Sequence, residues 1–151
     1  MSFTPTIQTT DNALPLPPAL IELLLREIQT AYCQSPPEPE GAQVLAMTIV
    51  FRDPNYDPLA GGYHPVEIRL GHVERNSFRL GYITDFSYTP VDGRHVLLTE
   101  IDFEFSVELC KMRHLPPIAL SRVGDFFDLY ISNFLSYYAN GVYDVDVVWE
   151  T

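Results

Sequence analysis

The chain of 151 residues carries a net charge of −11, because its 20 Asp and Glu residues outnumber its nine Lys and Arg residues. Its hydrophobic fraction of 46% is typical of a globular chain, and its length suits one domain over residues 1–151. The excess of acids repels phosphate groups, which excludes direct binding to nucleic acid or to an anionic membrane as an expected function.

The N-terminal region carries no recognisable targeting signal. It has no Lys or Arg before Arg26 and no apolar segment typical of a signal peptide. Charged residues also break every apolar stretch short of a membrane span, so we expect a cytoplasmic protein. Cys33 and Cys110 lie far apart and form no CxxC pair, which indicates idle thiols rather than a disulfide framework or a zinc site.

The first half of the chain predicts an arm, one helix and two strands. Residues 1–15 are polar and are expected to form a loosely ordered N-terminal arm. Apolar residues at helical spacing predict a helix over residues 18–33, which begins at two prolines and ends at a proline-rich stretch. A continuous apolar run over residues 44–52 predicts a buried strand, and alternation over residues 64–74 predicts another.

The middle of the chain predicts a β-hairpin whose turn is Asp92-Gly93. Counting outward from this turn places Phe86 opposite Thr99 and Thr84 opposite Ile101. In this register the aromatic and aliphatic side chains share one face of the hairpin and the acids share the other. A slip of one residue would bury the acids, so the hydrophobic pattern favours this register.

The last part of the chain predicts a loop over residues 110–116, a helix over residues 117–139 and a strand that runs to the C-terminus. The resulting order is α-β-β-β-β-α-β, which contains no repeated βαβ unit. We therefore predict an α+β fold with a mainly antiparallel sheet of about five strands and two helices packed on one face.

Four acids of the hairpin form the most specific feature of the sequence, namely Asp85, Glu100, Asp102 and Glu104. Like charges opposed across strands cost stability, so an acidic face can mark a docking surface for a basic partner or a cation site. A solvated sheet face balanced by nearby arginines gives the same pattern and is the favoured interpretation of these four side chains.

The loop before the second predicted strand is another candidate segment. Asp53 and Asp57 have the spacing that begins a calcium loop, but Pro58 and His64 stand where such a loop requires Gly and Glu. A turn is therefore the better interpretation of these residues. Tyr63 and His64 follow two glycines and are candidate binding residues, although a simple turn into a strand is favoured.

Four short segments resemble a bacterial family of uncharacterised proteins, Domain of Unknown Function 2787. They are residues 62–68 (GYHPVEI), 84–86 (TDF), 100–103 (EIDF) and 133–134 (NF). By the order and spacing of these motifs, the resemblance covers roughly residues 40–148. It implies a bacterial, single-domain protein, and it brings no activity, cofactor or catalytic residue with it.

No nucleophile motif, nucleotide loop or metal-ligand spacing is recognisable, so no cofactor and no metal are predicted. The leading hypothesis is an interaction or regulatory protein without catalytic activity, which docks a basic partner on its acidic face. One alternative is a hydrolase-type enzyme with a divalent cation held by Asp85, Glu100 and Asp102. Another is a small-ligand binder with a pocket between the aromatic-rich helix and the sheet.

Overall fold

The computed structural model describes residues 3–151, in which two α-helices lie on one face of a mainly antiparallel β-sheet. The elements in chain order are β1 (Thr6–Ile7), α1 (Pro18–Gln34), β2 (Ala46–Arg52), β3 (Val66–Glu74), β4 (Ser77–Val91), β5 (Arg94–Glu104), β6 (Leu109–Met112), β7 (Ile118–Ala119), a 3₁₀ turn (Leu120–Arg122), α2 (Gly124–Ala139) and β8 (Asp144–Glu150). The predicted α+β class with two helices is confirmed.

The sheet has more strands than the five or so predicted. Seven strands follow the order β7-β6-β5-β4-β3-β2-β8, and β1 pairs in parallel with the start of β4. The predicted loop over residues 110–116 overlaps the short strand β6, which pairs with β5. Short pairings of this kind depend on tertiary contacts, so hydrophobic periodicity does not reveal them.

The N-terminal arm and the last helix also differ from the predictions. The arm packs against the domain over its described residues, because Ile7 and Leu14 are buried and Thr6–Ile7 pair with β4. The last helix begins at Gly124 rather than at residue 117, since the preceding residues form β7 and the 3₁₀ turn. The apolar face of this helix packs into the core, with Phe127, Ile131 and Phe134 buried.

The hydrophobic core lies between the helices and the sheet. The ring of Phe127 on α2 meets Phe103 on β5 edge-on, with 5.1 Å between ring centroids. Phe134, two turns further along α2, meets Phe51 of β2 in the same way at 4.9 Å. Edge-to-face pairs at these separations are favourable and fix the position of α2 over the sheet.

The hairpin of β4 and β5 turns at Asp92-Gly93 as predicted, and both turn residues have positive φ angles of 49° and 76°. Phe86 pairs with Thr99 as expected, but the register then shifts at a β-bulge in which Glu100 is the extra residue of β5. Asp85, not Thr84, therefore pairs with Ile101. A bulge reverses the facing of the residues beyond it, which the sequence pattern does not reveal.

Beyond the sheet, residues 86–99 form a two-stranded extension that we call the hairpin arm. β3 pairs with β4 only as far as Asp85, and β6 pairs with β5 only from Ile101. Both strands of the arm therefore lack a further neighbouring strand. Its apolar side chains are consequently exposed, among them Val91, Val96, Leu97 and Leu98. Neither helix of the described chain has the length and apolarity needed to cross a membrane.

Candidate functional site

A cavity of about 300 Å³ opens between the sheet and α2, at the end of the sheet from which the hairpin arm extends. We call it the tyrosine pocket, because it is lined by Tyr63, Tyr130, Tyr137 and Tyr143 together with Gly62, His64, Val66, Asp85, Ile101, Asn133 and Phe134. The chain brings these residues together from four places: the loop before β3 with the first residue of that strand, the β4–β5 pair, one face of α2 and the residue before β8.

Helical spacing explains the contribution of α2. Tyr130, Asn133, Phe134 and Tyr137 stand at positions i, i+3, i+4 and i+7, which lie on one face of an α-helix. The opposite side of the pocket comes from paired residues of the sheet. Asp85 pairs with both Val66 on β3 and Ile101 on β5, so the three side chains share the face that looks toward α2.

Asp85 is the charged residue at the floor of this pocket. Because Glu100 is an extra residue of β5, Asp85 pairs with Ile101 on the face toward the helices, and only 6% of Asp85 is exposed. Its Oδ1 lies 2.8 Å from Nδ1 of His64, and the hydroxyl of Tyr130 donates to its Oδ2 at 3.0 Å. The prediction that Asp85 belongs to a solvent-facing acidic surface is therefore wrong. Gly81 is an extra residue of β4 opposite β3, so beyond it Ile83 and Asp85 share the buried face with Leu80.

His64 is held by this carboxylate. An ionised carboxylate can only accept hydrogen bonds, so the ring Nδ1–H of His64 donates to Asp85. This hydrogen bond raises the pKa of His64 above its usual 6.5, while partial burial opposes the increase. The side chain of His64 is 40% exposed, so the rest of the ring can reach a molecule in the pocket.

Four tyrosines form the walls. The rings of Tyr63 and Tyr137 are in contact, with centroids 4.6 Å apart and planes 56° apart. Burial, together with the Asp85 carboxylate, raises the pKa of Tyr130 and Tyr143 above the ordinary value of 10.0. These two side chains are therefore neutral phenols at physiological pH.

The loop that carries Tyr63 is ordered by its own aspartates. Asp53 accepts hydrogen bonds from the backbone N–H of Asn55 at 2.9 Å and of Tyr63 at 3.0 Å. Gly62 has a φ of 141°, and a Cβ placed there would lie 2.8 Å from Cα of Tyr56. Only glycine fits such a position without strain. This geometry supports the turn interpretation, since the carboxylate of Asp53 accepts from backbone amides.

The remaining hairpin acids lie in two other places. Glu100 accepts a hydrogen bond from Ser87 at 2.6 Å and pairs with Arg113 at 3.3 Å, at the base of the hairpin arm. Asp102 and Glu104 lie on the sheet face opposite the helices. There Asp102 accepts a hydrogen bond from Thr84 at 2.8 Å, and Glu104 pairs with Lys111 at 2.9 Å. Burial raises the pKa of Asp102.

The acids proposed for a cation site do not converge. Asp85 faces the helices, whereas Asp102 lies on the opposite face of the sheet. Within residues 3–151 no three His, Cys, Asp or Glu side chains are grouped so that they could hold a metal ion. A divalent cation held by Asp85, Glu100 and Asp102 is therefore not supported by the structure.

The pocket unites three of the candidate binding residues, Tyr63, His64 and Asp85, with residues that the sequence analysis did not single out. Tyr130 and Tyr143 stand in apolar patterns of the sequence that favour core positions. Their hydroxyl groups were the missed signal, because a buried tyrosine needs a hydrogen-bond partner. A helix face that carries several tyrosines thus indicates a partly polar surface rather than a simple core stripe.

Comparison with known proteins identifies a family and a fold. The model of the family described as "Protein of unknown function (DUF2787)" matches residues 19–148 and so includes α1, which the resemblance by motifs did not. No curated protein is detectably similar in sequence.

Two solved structures from Vibrio cholerae have a similar fold. One is the hypothetical protein VC0508 from the VSP-II pathogenicity island, with a TM-score of 0.77 and 24% identity over 93% of this chain and 99% of that one. The other is the conserved hypothetical protein VC1805 from pathogenicity island VPI-2, with a TM-score of 0.74 and 24% identity over 94% and 99%. VC1805 is described as sharing structural homology with the human P32 protein. These likenesses concern the fold alone.

Proposed function

This chain belongs to the DUF2787 family, whose function is unknown, and we propose that it is a ligand-binding domain whose site is the tyrosine pocket. The observation that carries the proposal is the hydrogen-bonded pair of the buried Asp85 and the partly exposed His64 on the floor of an aromatic-walled cavity. A concave site with aromatic walls and a few converging polar groups is the usual form of a small-molecule site.

The arrangement favours binding over nucleophilic catalysis. An aspartate that orients a histidine is part of many catalytic triads, but such sites also need a nucleophile beside the imidazole. The described residues that line the pocket include no Ser, Thr or Cys. The polar groups that remain, three phenol hydroxyls of the walls and the amide of Asn133, are suited to orienting a bound molecule.

The test is a fragment screen in which binding is monitored by nuclear magnetic resonance. Small amines, sugars, aromatic acids and inorganic anions are screened as separate classes. We expect at least one class to shift the resonances of Tyr63, His64 and Tyr137. Asn133→Trp should abolish these shifts, because the indole would occupy the cavity from the exposed rim of α2.

Ser132→Trp is the matched control for this test. Ser132 is exposed on the same helix but does not line the pocket, so its variant should bind as the wild type does. The proposal is wrong if no class perturbs the pocket, or if Asn133→Trp and Ser132→Trp bind equally well.

A further inference from the structure

The walls of the tyrosine pocket offer aromatic faces to a bound molecule. Tyr63 is 42% exposed and forms a corner with Tyr137 at the mouth of the cavity. Tyr143 and Phe134 form a second aromatic pair, with 5.5 Å between ring centroids. The face of an aromatic ring is the negative part of its quadrupole, so several rings around one cavity attract a cation.

The charged groups around the cavity also favour a cation. Asp85 lies at the floor, and a carboxylate oxygen of Asp53 lies 3.0 Å from where a Cβ on Gly62 would be. Both carboxylates contribute to the raised pKa of Tyr143, after the larger effect of burial. Negative potential from two separate elements therefore reaches the wall of the pocket.

Positive groups near the cavity are already engaged. The described lining residues include no Lys or Arg, and the imidazole of His64 donates to Asp85. Arg113, at the base of the hairpin arm, pairs with Glu100 and donates to the carbonyl oxygens of Leu98 and Thr99. The lining group that can carry a positive charge, the imidazole of His64, is paired with Asp85, so an anion in the pocket would meet carboxylates without an unpaired cationic group to offset them.

We infer that the tyrosine pocket selects a small organic cation with a methylated ammonium group, which lies against Tyr63 and Tyr137 and faces the Asp85 carboxylate. The inference rests on the proposed function, since it names the class of ligand for the same site. Aromatic rings with a nearby carboxylate are suited to quaternary ammonium groups, because such groups donate no strong hydrogen bonds and interact with ring faces. The cavity of about 300 Å³ has room for a trimethylammonium group.

The experiment compares choline with its neutral carbon isostere, in which a tert-butyl group replaces the trimethylammonium group, by isothermal titration calorimetry. Shape and apolar surface are nearly the same in the two compounds, so the difference measures the charge. We expect choline to bind about tenfold more tightly than the isostere, as one desolvated cation–π contact would produce. Tetramethylammonium should bind as well, because it keeps the cation and lacks the hydroxyl group.

Variants of one wall residue test where the cation lies. Tyr63→Leu should weaken choline binding about tenfold and leave the weak binding of the isostere nearly unchanged. Tyr63→Phe should restore most of the affinity, because the ring face is retained. Tyr88→Leu is the control, since Tyr88 contacts Tyr56 outside the pocket lining.

The outcomes separate this inference from the proposed function. Equal affinities for choline and the isostere, or tighter binding of acetate or phosphate than of choline, would overturn the cation inference while leaving the pocket as a binding site. If choline and tetramethylammonium both fail to bind, the inference is also wrong, and the proposed function then depends on the other fragment classes. If no class binds, both are wrong.

Discussion

The carboxylate of Asp85 connects three elements of the fold at one point. Its oxygens receive hydrogen bonds from His64 before β3 and from Tyr130 on α2, while its own backbone belongs to β4. A buried carboxylate with partners on both oxygens fixes the orientation of those partners. The geometry of the pocket floor therefore depends on this one side chain.

The first prediction concerns the pKa of His64. Asp85→Asn removes the charged acceptor that is the largest cause of the raised pKa, whereas the burial that lowers the pKa persists. We expect the pKa of His64 to fall to its usual 6.5 or below, as measured by titration of the ring protons in nuclear magnetic resonance. Asp102→Asn, on the opposite face of the sheet, should leave it unchanged. A pKa of His64 that stays raised in Asp85→Asn would contradict the assigned hydrogen bond.

The second prediction is a dependence of stability on pH. Because the pKa of His64 is raised in the folded protein, its interaction with Asp85 contributes fully below the unfolded pKa of 6.5. That contribution is lost as the pH rises through the raised folded pKa. Urea unfolding at a series of pH values should show this decrease in the wild type and a smaller one in His64→Gln. Parallel pH profiles for the two proteins would count against it.

Residue by residue, the site was only partly predictable from the sequence. Tyr63 and His64 could be chosen because two glycines before a strand indicate an exposed loop, and they do line the pocket. Asp85 was chosen as part of an outward acidic surface, although it faces inward. The side to which a strand residue points depends on the bulges in its own strand, such as the one at Gly81, and the alternation of apolar residues does not reveal where a bulge lies.

At the scale of elements, α2 connects the core to the pocket. One side of the helix presents Phe127 to the aromatic residues of β5, and an adjacent side presents Tyr137 to the pocket. The packing of Phe127 therefore determines where the pocket wall stands. The apolar spacing of this helix was readable from the sequence, because apolar residues recur at helical spacing over about four turns. The start of the helix was not readable from the sequence, because the residues before Gly124 keep the apolar spacing although they form a short strand and a 3₁₀ turn.

The third prediction measures this packing. Phe127 is fully buried and touches the rings of Phe103 and Phe105. Phe127→Ala should lower the free energy of unfolding by about 3–5 kcal/mol, which is the usual cost of a large cavity in a core. Leu129→Ala is the matched control on the same helix, because Leu129 is 61% exposed and its truncation should change stability by less than about 0.5 kcal/mol. Similar losses in the two variants, measured by urea unfolding, would show that Phe127 is not a core residue.

At the scale of the whole molecule, the net charge of −11 still predicts attraction to basic partners. The sheet face opposite the helices retains Asp102 and Glu104 as candidates for such docking. Their partners, Thr84 and Lys111, reduce the charge that this face presents. The sheet face opposite the helices therefore carries fewer acids than the four that the sequence pattern indicated. Docking of a basic partner on this face stays a prediction.

The fourth prediction tests that docking with a defined lysine-rich peptide, by fluorescence anisotropy. The wild type should bind the peptide at low salt and lose it at high salt, because the Debye length is about 8 Å at physiological ionic strength. The double variant Asp102→Asn, Glu104→Gln should weaken peptide binding more than the control double variant Asp125→Asn, Asp128→Asn does. The control removes the same amount of charge from the exposed side of α2. Equal weakening would mean that the peptide responds to net charge alone.

The hairpin arm determines which part of the β4–β5 hairpin unfolds locally. β4 and β5 are continuous from the core into the arm, yet Phe103 is fully buried while Val96 is 42% exposed. Separating the two strands within the arm exposes little buried apolar surface, so it requires only local fluctuation. Separating them at Phe103 requires global unfolding. Amide hydrogen exchange should therefore be fast and insensitive to dilute denaturant in the arm, and slow and accelerated by denaturant a few residues away on the same strands.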